Sequence, residues 1–457
     1  MSIVPDEAVN GIEEPENSLP QHIVNRAVRL SYAQAMIGAI YVASTGGMFL
    51  IGYALKLGAT NAQIGLMSTI PMLCIVVQLL SAMLVERGIS RRKLTIAGAL
   101  LNVSGWVLVI MLPRVLAHAS RDAKITALVA VIALVTTFAY VSGNARASWV
   151  GDLIPAHNRG MFFGRMTMYA GIIGAVFAIV EGKLLDHLKQ LGIGAFNWLF
   201  SIGILFGLIH ASLFFPQSDV RTTRHESGGS LPALIRETFT NRALMVLMVY
   251  SLIWSMQAIA GPFYATYLLR DLKMSFLGFG ILGGLATVTM LASSPFWGRI
   301  VDRYGSKPVL VACTAVAAPV PFFWIWLTNL KIVYAVVCPV NLIMGFLIAG
   351  ISVALNTLIY KVTPAAGRSA QFAVYSVTIL LLVSPMPALG GHLPDWLRAI
   401  GIHTDLRCTF YASAVFLILA ALAARFIHEP DSTAASEMVR NIPDHLRDPS
   451  TLVPSEE

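Results

Sequence analysis

Long apolar runs, each broken by charged or turn-forming residues, recur along almost the whole chain. Bounded this way, they predict helices over 33–56, 61–84, 92–116, 123–150, 161–185 and 195–215, then over 243–268, 275–297, 307–328, 332–360, 369–390 and 406–427. Each is close to the roughly 20 residues, rising about 1.5 Å apiece, that a helix needs to cross the hydrocarbon of a bilayer. The expected fold is therefore all-α and polytopic, with twelve transmembrane helices in two six-helix bundles. One sizeable polar interval, 216–242, separates the sixth helix from the seventh; it holds Arg221, Arg224, His225, Glu226, Arg236 and Glu237. The organisation that follows is a polar, disordered segment over 1–30, a first bundle over 31–215, a central cytoplasmic loop over 216–242, a second bundle over 243–427 and a polar tail over 428–457.

Composition narrows the class further. Apolar residues make up 56% and charged residues 12% of the 457, about half the charge that an ordinary soluble chain carries. A soluble enzyme is excluded. The net charge of +8 comes from short Lys/Arg clusters between apolar segments, which speaks for membrane topology and against nucleic-acid binding. With both termini in the cytoplasm, the internal loops and flanks hold nineteen Lys and Arg against eleven outside, which orients the chain in a cytoplasmic-type membrane. The opening residues lack the basic-then-apolar order of a cleavable signal. Cys74, Cys313, Cys338 and Cys408 have neither metal-ligand nor redox spacing and are expected to fill the core.

The two halves repeat in parallel. Tyr53-Ala54-Leu55-Lys56 returns as Tyr267-Leu268-Leu269-Arg270, Glu86-Arg87-Gly88 as Asp302-Arg303-Tyr304-Gly305, and Pro155, Arg159 and Phe163 as Pro364, Arg368 and Phe372, at offsets of 214, 216 and 209. Two like-oriented units imply a pseudo-twofold axis along the membrane normal and a crevice between them that opens to either side. That architecture points to transport.

On these residues the chain resembles the major facilitator superfamily. The most specific match is the loop between helices eight and nine, Gly298-Arg299-Ile300-Val301-Asp302-Arg303-Tyr304-Gly305-Ser306-Lys307-Pro308. Its counterpart between helices two and three keeps Glu86, Arg87, Gly88, Arg91, Arg92 and Lys93 but has Ser81 or Ala82 where glycine is usual. The resemblance covers about 30–427. It implies that Asp302 lies against the start of helix five near Arg159, and Glu86 against the start of helix eleven near Arg368. A carboxylate there meets unpaired N–H groups and the positive end of the helix dipole. Glu86, Arg87, Gly88, Gly298, Asp302, Arg303, Gly305, Arg159 and Arg368 would thus form conformational latches, closed when the crevice faces outward; the alternative is a solvated loop obeying the positive-inside rule. Gly160, Gly164, Gly171 and Gly174 on helix five and Gly280 and Gly284 on helix eight suit a close helix contact, since these helices meet between the halves in the superfamily; the alternative is the ordinary glycine enrichment of membrane helices.

Helices one, four, seven and ten line the cavity in that superfamily, so mid-span polar and aromatic groups are the candidate substrate contacts: Tyr41, Thr45, Asn144, Tyr169, Trp254, Gln257, Asn356 and Tyr375. Amides, hydroxyls and rings suit a neutral or weakly charged organic solute. Arg146 either binds an anionic substrate or snorkels and pairs with a neighbouring carboxylate, the commoner fate of such a residue. Glu181, expected near the outer end of helix five, is the candidate for coupling a proton. No Walker loop, metal motif or convergent acid–base set occurs, so neither cofactor, metal, catalytic residue nor enzymatic activity is expected. The expected partners are a small-molecule substrate, the lipid bilayer and a coupled proton or other ion, with a monomer as the assembly. The function this describes is a secondary or facilitative transporter working by alternating access; the alternative is a receptor or scaffold that keeps the fold without moving cargo.

Overall fold

The computed structural model describes residues 20–154, 159–219, 231–363, 368–429 and 432–447. Among them there are helices and no strands. Ten stretches are long and apolar enough to cross a membrane: Gln21–Leu57, Arg91–Val115, Arg121–Val150, Met161–His187, Ile193–Ser212, Arg242–Asp271, Phe276–Tyr304, Ser306–Ile325, Leu330–Val362 and Gln371–Ala399. The shorter apolar helices Asn61–Val76 and Cys408–Ala424 complete the order as the second and last of twelve spans, counted along the chain. The second continues as Val77–Glu86. An even number of crossings leaves both described ends on one face, the terminal face; the other is the distal face.

The first span begins earlier than its apolar run suggests, at Gln21. Arg26 and Arg29, which read as a boundary, lie exposed, while Val24, Ala27, Ser31 and Gln34 are buried at helical spacing. Residues 21–30, expected in a disordered segment, are thus an amphipathic extension. Two polar intervals also carry helices. Leu231–Thr240 precedes the seventh span and packs on the eleventh. Ala435–Arg447 follows the twelfth and packs on the ninth, burying Met438.

The duplication extends to backbone detail. Gly88 and Gly305, after the paired acid–arginine motifs, have φ of +92° and +93°, a left-handed turn that glycine adopts without a Cβ penalty. The Tyr53 hydroxyl donates to the Val109 carbonyl of the third span at 3.0 Å, and the Tyr267 hydroxyl to the Leu327 carbonyl just after the ninth at 2.6 Å. The first span breaks at Gly46 and the seventh at Ala260, the same offset that separates Tyr53 from Tyr267.

The halves meet along the distal face. Gly47–Leu57 packs on Gly261–Thr266, and Asn61–Leu73 on Met386–Ala399. The fifth and eighth spans form the most extensive contact between the halves. There a Cβ at Gly280 would stand 2.7 Å from the Ala178 carbonyl oxygen, and one at Gly182 would stand 2.6 Å from that of Phe276. Glycine lets the two backbones touch where lipid offers no hydrophobic drive for helix association.

Candidate functional site

A cavity of about 850 Å³ opens beside this junction, walled by the first, third, fourth, fifth, sixth and eighth spans. Along the first span it runs from Gln34 to Phe49, a helical rise of about 22 Å. Its walls are mostly glycine, alanine and apolar side chains, including Met48, Phe49, Met166 and Phe279. The break in the first span faces it, since Gly46 and Gly47 are both lining residues. Gly47 has φ +52° and starts the half-helix Gly47–Leu57, whose first turn has N–H groups without intrahelical acceptors.

Most polar groups on the wall are tied to the scaffold. Tyr41 donates to Asn102 Oδ1 at 2.6 Å, and Asn102 Nδ2 donates to the Val135 carbonyl at 2.6 Å. The Ser142 hydroxyl donates to the Thr95 carbonyl at 2.8 Å, and that of Thr287 to the Gly283 carbonyl at 3.0 Å. Gln34 Nε2 reaches Gln217 Oε1 at 2.8 Å and the Leu213 carbonyl at 2.9 Å. His210 Nδ1 lies 2.9 Å from the Gln34 carbonyl, which can only accept, so a neutral ring carries its proton on Nδ1. Arg146 differs from all of these: it lines the cavity and, among the described residues, makes no hydrogen bond or ion pair.

Of the nine side chains expected around a substrate, Tyr41 and Arg146 line this cavity. Asn144 stands two positions from Arg146, about 200° around the helix, and points to the second span, donating to the Gln78 carbonyl at 3.3 Å. Thr45 is buried with its hydroxyl on the Tyr41 carbonyl at 2.7 Å. Tyr169 packs edge-on to Tyr32, and the hydroxyl of Tyr375 donates to Ser251, joining the eleventh span to the seventh. Trp254 and Gln257 are half-buried and Asn356 exposed, all away from the cavity wall. The void is off-centre, set in the first half and capped by the eighth span, so residues of the seventh, tenth and eleventh spans do not reach it.

Glu181 is 2% exposed. Ser44 Oγ lies 2.5 Å from its Oε1 and 2.8 Å from the Ile40 carbonyl, while Oε2 has no partner among the described residues. One turn further along, Asp186 accepts the N–H groups of Phe276 and Leu277 at 3.0 and 2.9 Å, capping the eighth span. Two more polar ties join the halves distally. Arg270 Nη1 donates to Asn61 Oδ1 at 2.7 Å, and the Ala388 N–H to Thr69 Oγ1 at 3.1 Å.

The pattern described as Major Facilitator Superfamily matches residues 33–264 and 246–450. The chain belongs to this superfamily. It is 28% identical over 171 residues to the class H tetracycline resistance protein of Pasteurella multocida, an alignment spanning 36% of this chain and 38% of that protein. Among solved structures, a nucleoside transporter superposes with a TM-score of 0.66 at 14% identity over 89% of this chain and all of that one. A D-xylose–proton symporter gives 0.65 at 15% over 91% and 100%. A bacterial homologue of the iron transporter ferroportin, in its inward-facing state, gives 0.65 at 14% over 89% and 99%. The protein is an integral membrane protein with the superfamily's twelve-helix fold.

The superfamily's signature loops lie on the terminal face. Asp302 and Arg87 are exposed and, among the described residues, take no hydrogen bond or ion pair; Arg303 is exposed beside the Tyr304 ring. Gly298 has open space where a Cβ would stand. The side chains of Glu86, Arg159 and Arg368, and all of 155–158 and 364–367, lie outside the described residues. The carboxylate that caps a helix in this loop belongs to the tail. Glu429 Oε2 accepts the N–H groups of Ser306 and Lys307 at 2.8 and 2.7 Å, and its Oε1 pairs with Lys361 at 2.7 Å.

Sequence reasoning passed over Gln34, Asn102, His210, Asp186 and Glu429. A signal for His210 was present: Gly203, Gly207 and His210 share one face of the sixth span, against Ser44, Tyr41 and Gly38 of the first. Two small residues and a polar one at helical spacing mark a tight helix pair with something polar at its end.

Proposed function

We propose that the protein is a secondary transporter that carries a small organic solute across a cytoplasmic-type membrane by alternating access, with no catalytic chemistry of its own. One observation carries this reading. The contacts between the halves gather on the distal face, around a cavity at the junction of the fifth and eighth spans. This is the geometry of a crevice sealed on one side, with the solute site beside the moving joint.

The excess of Lys and Arg makes the terminal face cytoplasmic, so this conformation faces inward. The latch proposed for Asp302 closes when the crevice faces outward and opens with the terminal side; Asp302 is exposed here. Glu181 is the coupling candidate: its carboxyl is buried, with Ser44 on one oxygen and, among the described residues, no partner on the other. The names of a tetracycline resistance protein and a D-xylose–proton symporter among its relatives fit a solute carrier working on an organic molecule, with a proton as the coupled ion.

The test is substrate counterflow in proteoliposomes with a panel of sugars, carboxylates, amines and amphiphilic drugs. Saturable counterflow of one class is the expected result. Its absence for every solute, despite ligand-dependent stabilisation of the folded protein, would favour the scaffold reading.

A further inference from the structure

Arg146 lies within the fourth span, seven positions before its last helical residue, and lines the cavity at the level of Gln34 and His210. An ionisable side chain placed there is costly and calls for a counter-charge. Among the described residues there is none: no Asp or Glu lines the cavity and no carboxylate contacts Arg146. The side chains of Tyr41, Asn102 and Ser142 and the Nε2 group of Gln34 are already hydrogen-bonded to the scaffold.

We infer that the solute is a small organic anion with an apolar body, its carboxylate held by the guanidinium of Arg146. This rests on the transporter reading and deepens it. Arg presents five N–H donors in a planar fork that matches a carboxylate's two oxygens. The glycine- and alanine-rich wall with Phe49, Phe279 and Met166 takes the rest of the molecule, and about 850 Å³ is room for an aromatic or short aliphatic acid. An ammonium group would meet Arg146 with no carboxylate to offset the repulsion. A neutral solute would leave the guanidinium as bare as it is now.

Matched probes test this. Acetate, benzoate and naphthoate are titrated calorimetrically into the purified full-length protein, beside benzylamine and benzyl alcohol, and the titrations are repeated with Arg146→Gln and Arg146→Lys. Benzoate or naphthoate should bind saturably and at least about tenfold more tightly than the amine or alcohol. Arg146→Gln should weaken that binding by about tenfold or more, the worth of a charge-assisted pair, and Arg146→Lys should restore part of it. The inference is overturned if no carboxylate binds, if the amine or alcohol binds as well, or if Arg146→Gln binds carboxylate like the parent. A melting temperature equal to the parent's certifies that Arg146→Gln is folded; if it is not, Arg146→Lys with neutral probes as reference decides in the same way. Uptake is scored separately. Carboxylate bound through Arg146 but never transported removes the transporter reading alone, and transport confined to neutral solutes removes this inference alone.

Discussion

The carboxylate of Asp186, at the distal end of the fifth span, accepts the backbone N–H of Phe276, the first helical residue of the eighth, at 3.0 Å. An acid of one half thereby caps a helix of the other. The same physics was expected of Asp302 on the opposite face. In this conformation it operates distally; Asp302 is exposed, and residues 155–158, against which it was expected to lie, fall outside the described residues.

Asp186→Asn should therefore loosen the distal seal. A carboxylate at a helix N-terminus contributes about 0.3–2 kcal/mol according to its burial, so the distal-open population should rise about two- to thirtyfold. Alkylation of a cysteine placed at Lys273, beside the seal, reports it. An unchanged alkylation rate would show that Asp186 does not hold the halves together.

Gly280→Ala should act in the same direction by steric means. Its Cβ would stand 2.7 Å from the Ala178 carbonyl oxygen, a backbone atom that cannot give way, at a cost of about 1–3 kcal/mol. Gly284→Ala is the control, because its nearest neighbour is the flexible end of Ile179 at 3.3 Å. Gly280→Ala should slow uptake and expose the distal face, with Gly284→Ala close to the parent; equal behaviour of the two would argue against a steric seal.

Glu181→Gln should leave the fold and downhill exchange intact while abolishing accumulation driven by a pH gradient. The amide keeps the contact with Ser44 but carries no exchangeable charge. Undiminished pH-driven accumulation in this variant would remove Glu181 from the coupling path.

Glu429→Ala should destabilise the second half. It strips the first turn of the ninth span of its acceptor and leaves Lys361 unpaired, a loss of about 1–3 kcal/mol for charge-assisted bonds. A lowered melting temperature with normal binding of transported solute is the expected result, measured by differential scanning fluorimetry. An unchanged melting temperature would reduce the tail's contact to a surface pairing.

The spans were legible because hydrophobic length is a property of the chain alone, and the duplication because paired turns need the same residues, as Gly88 and Gly305 do. The boundary at Gln21 was not, since Arg26 and Arg29 interrupt the apolar run while sitting on the outer side of a helix. The cavity was legible only in part. Choosing between Asn144 and Arg146 requires the face that each presents, and that depends on how the fourth span is rotated against the second. Asp186 was hidden because its partners are backbone N–H groups nearly a hundred residues away, which carry no residue identity.

The central claim is that the halves rock about the cavity, with the two faces opening in alternation. Distances between spin labels test it most directly, with one pair at Lys56 and Lys273 on the distal face and another at Lys93 and Arg299 on the terminal face. In bilayers, as ligand or pH is varied, any population in which the distal pair lengthens should show the terminal pair shortening to the same extent. Single, invariant distances for both pairs, or lengthening of both together, would contradict the account.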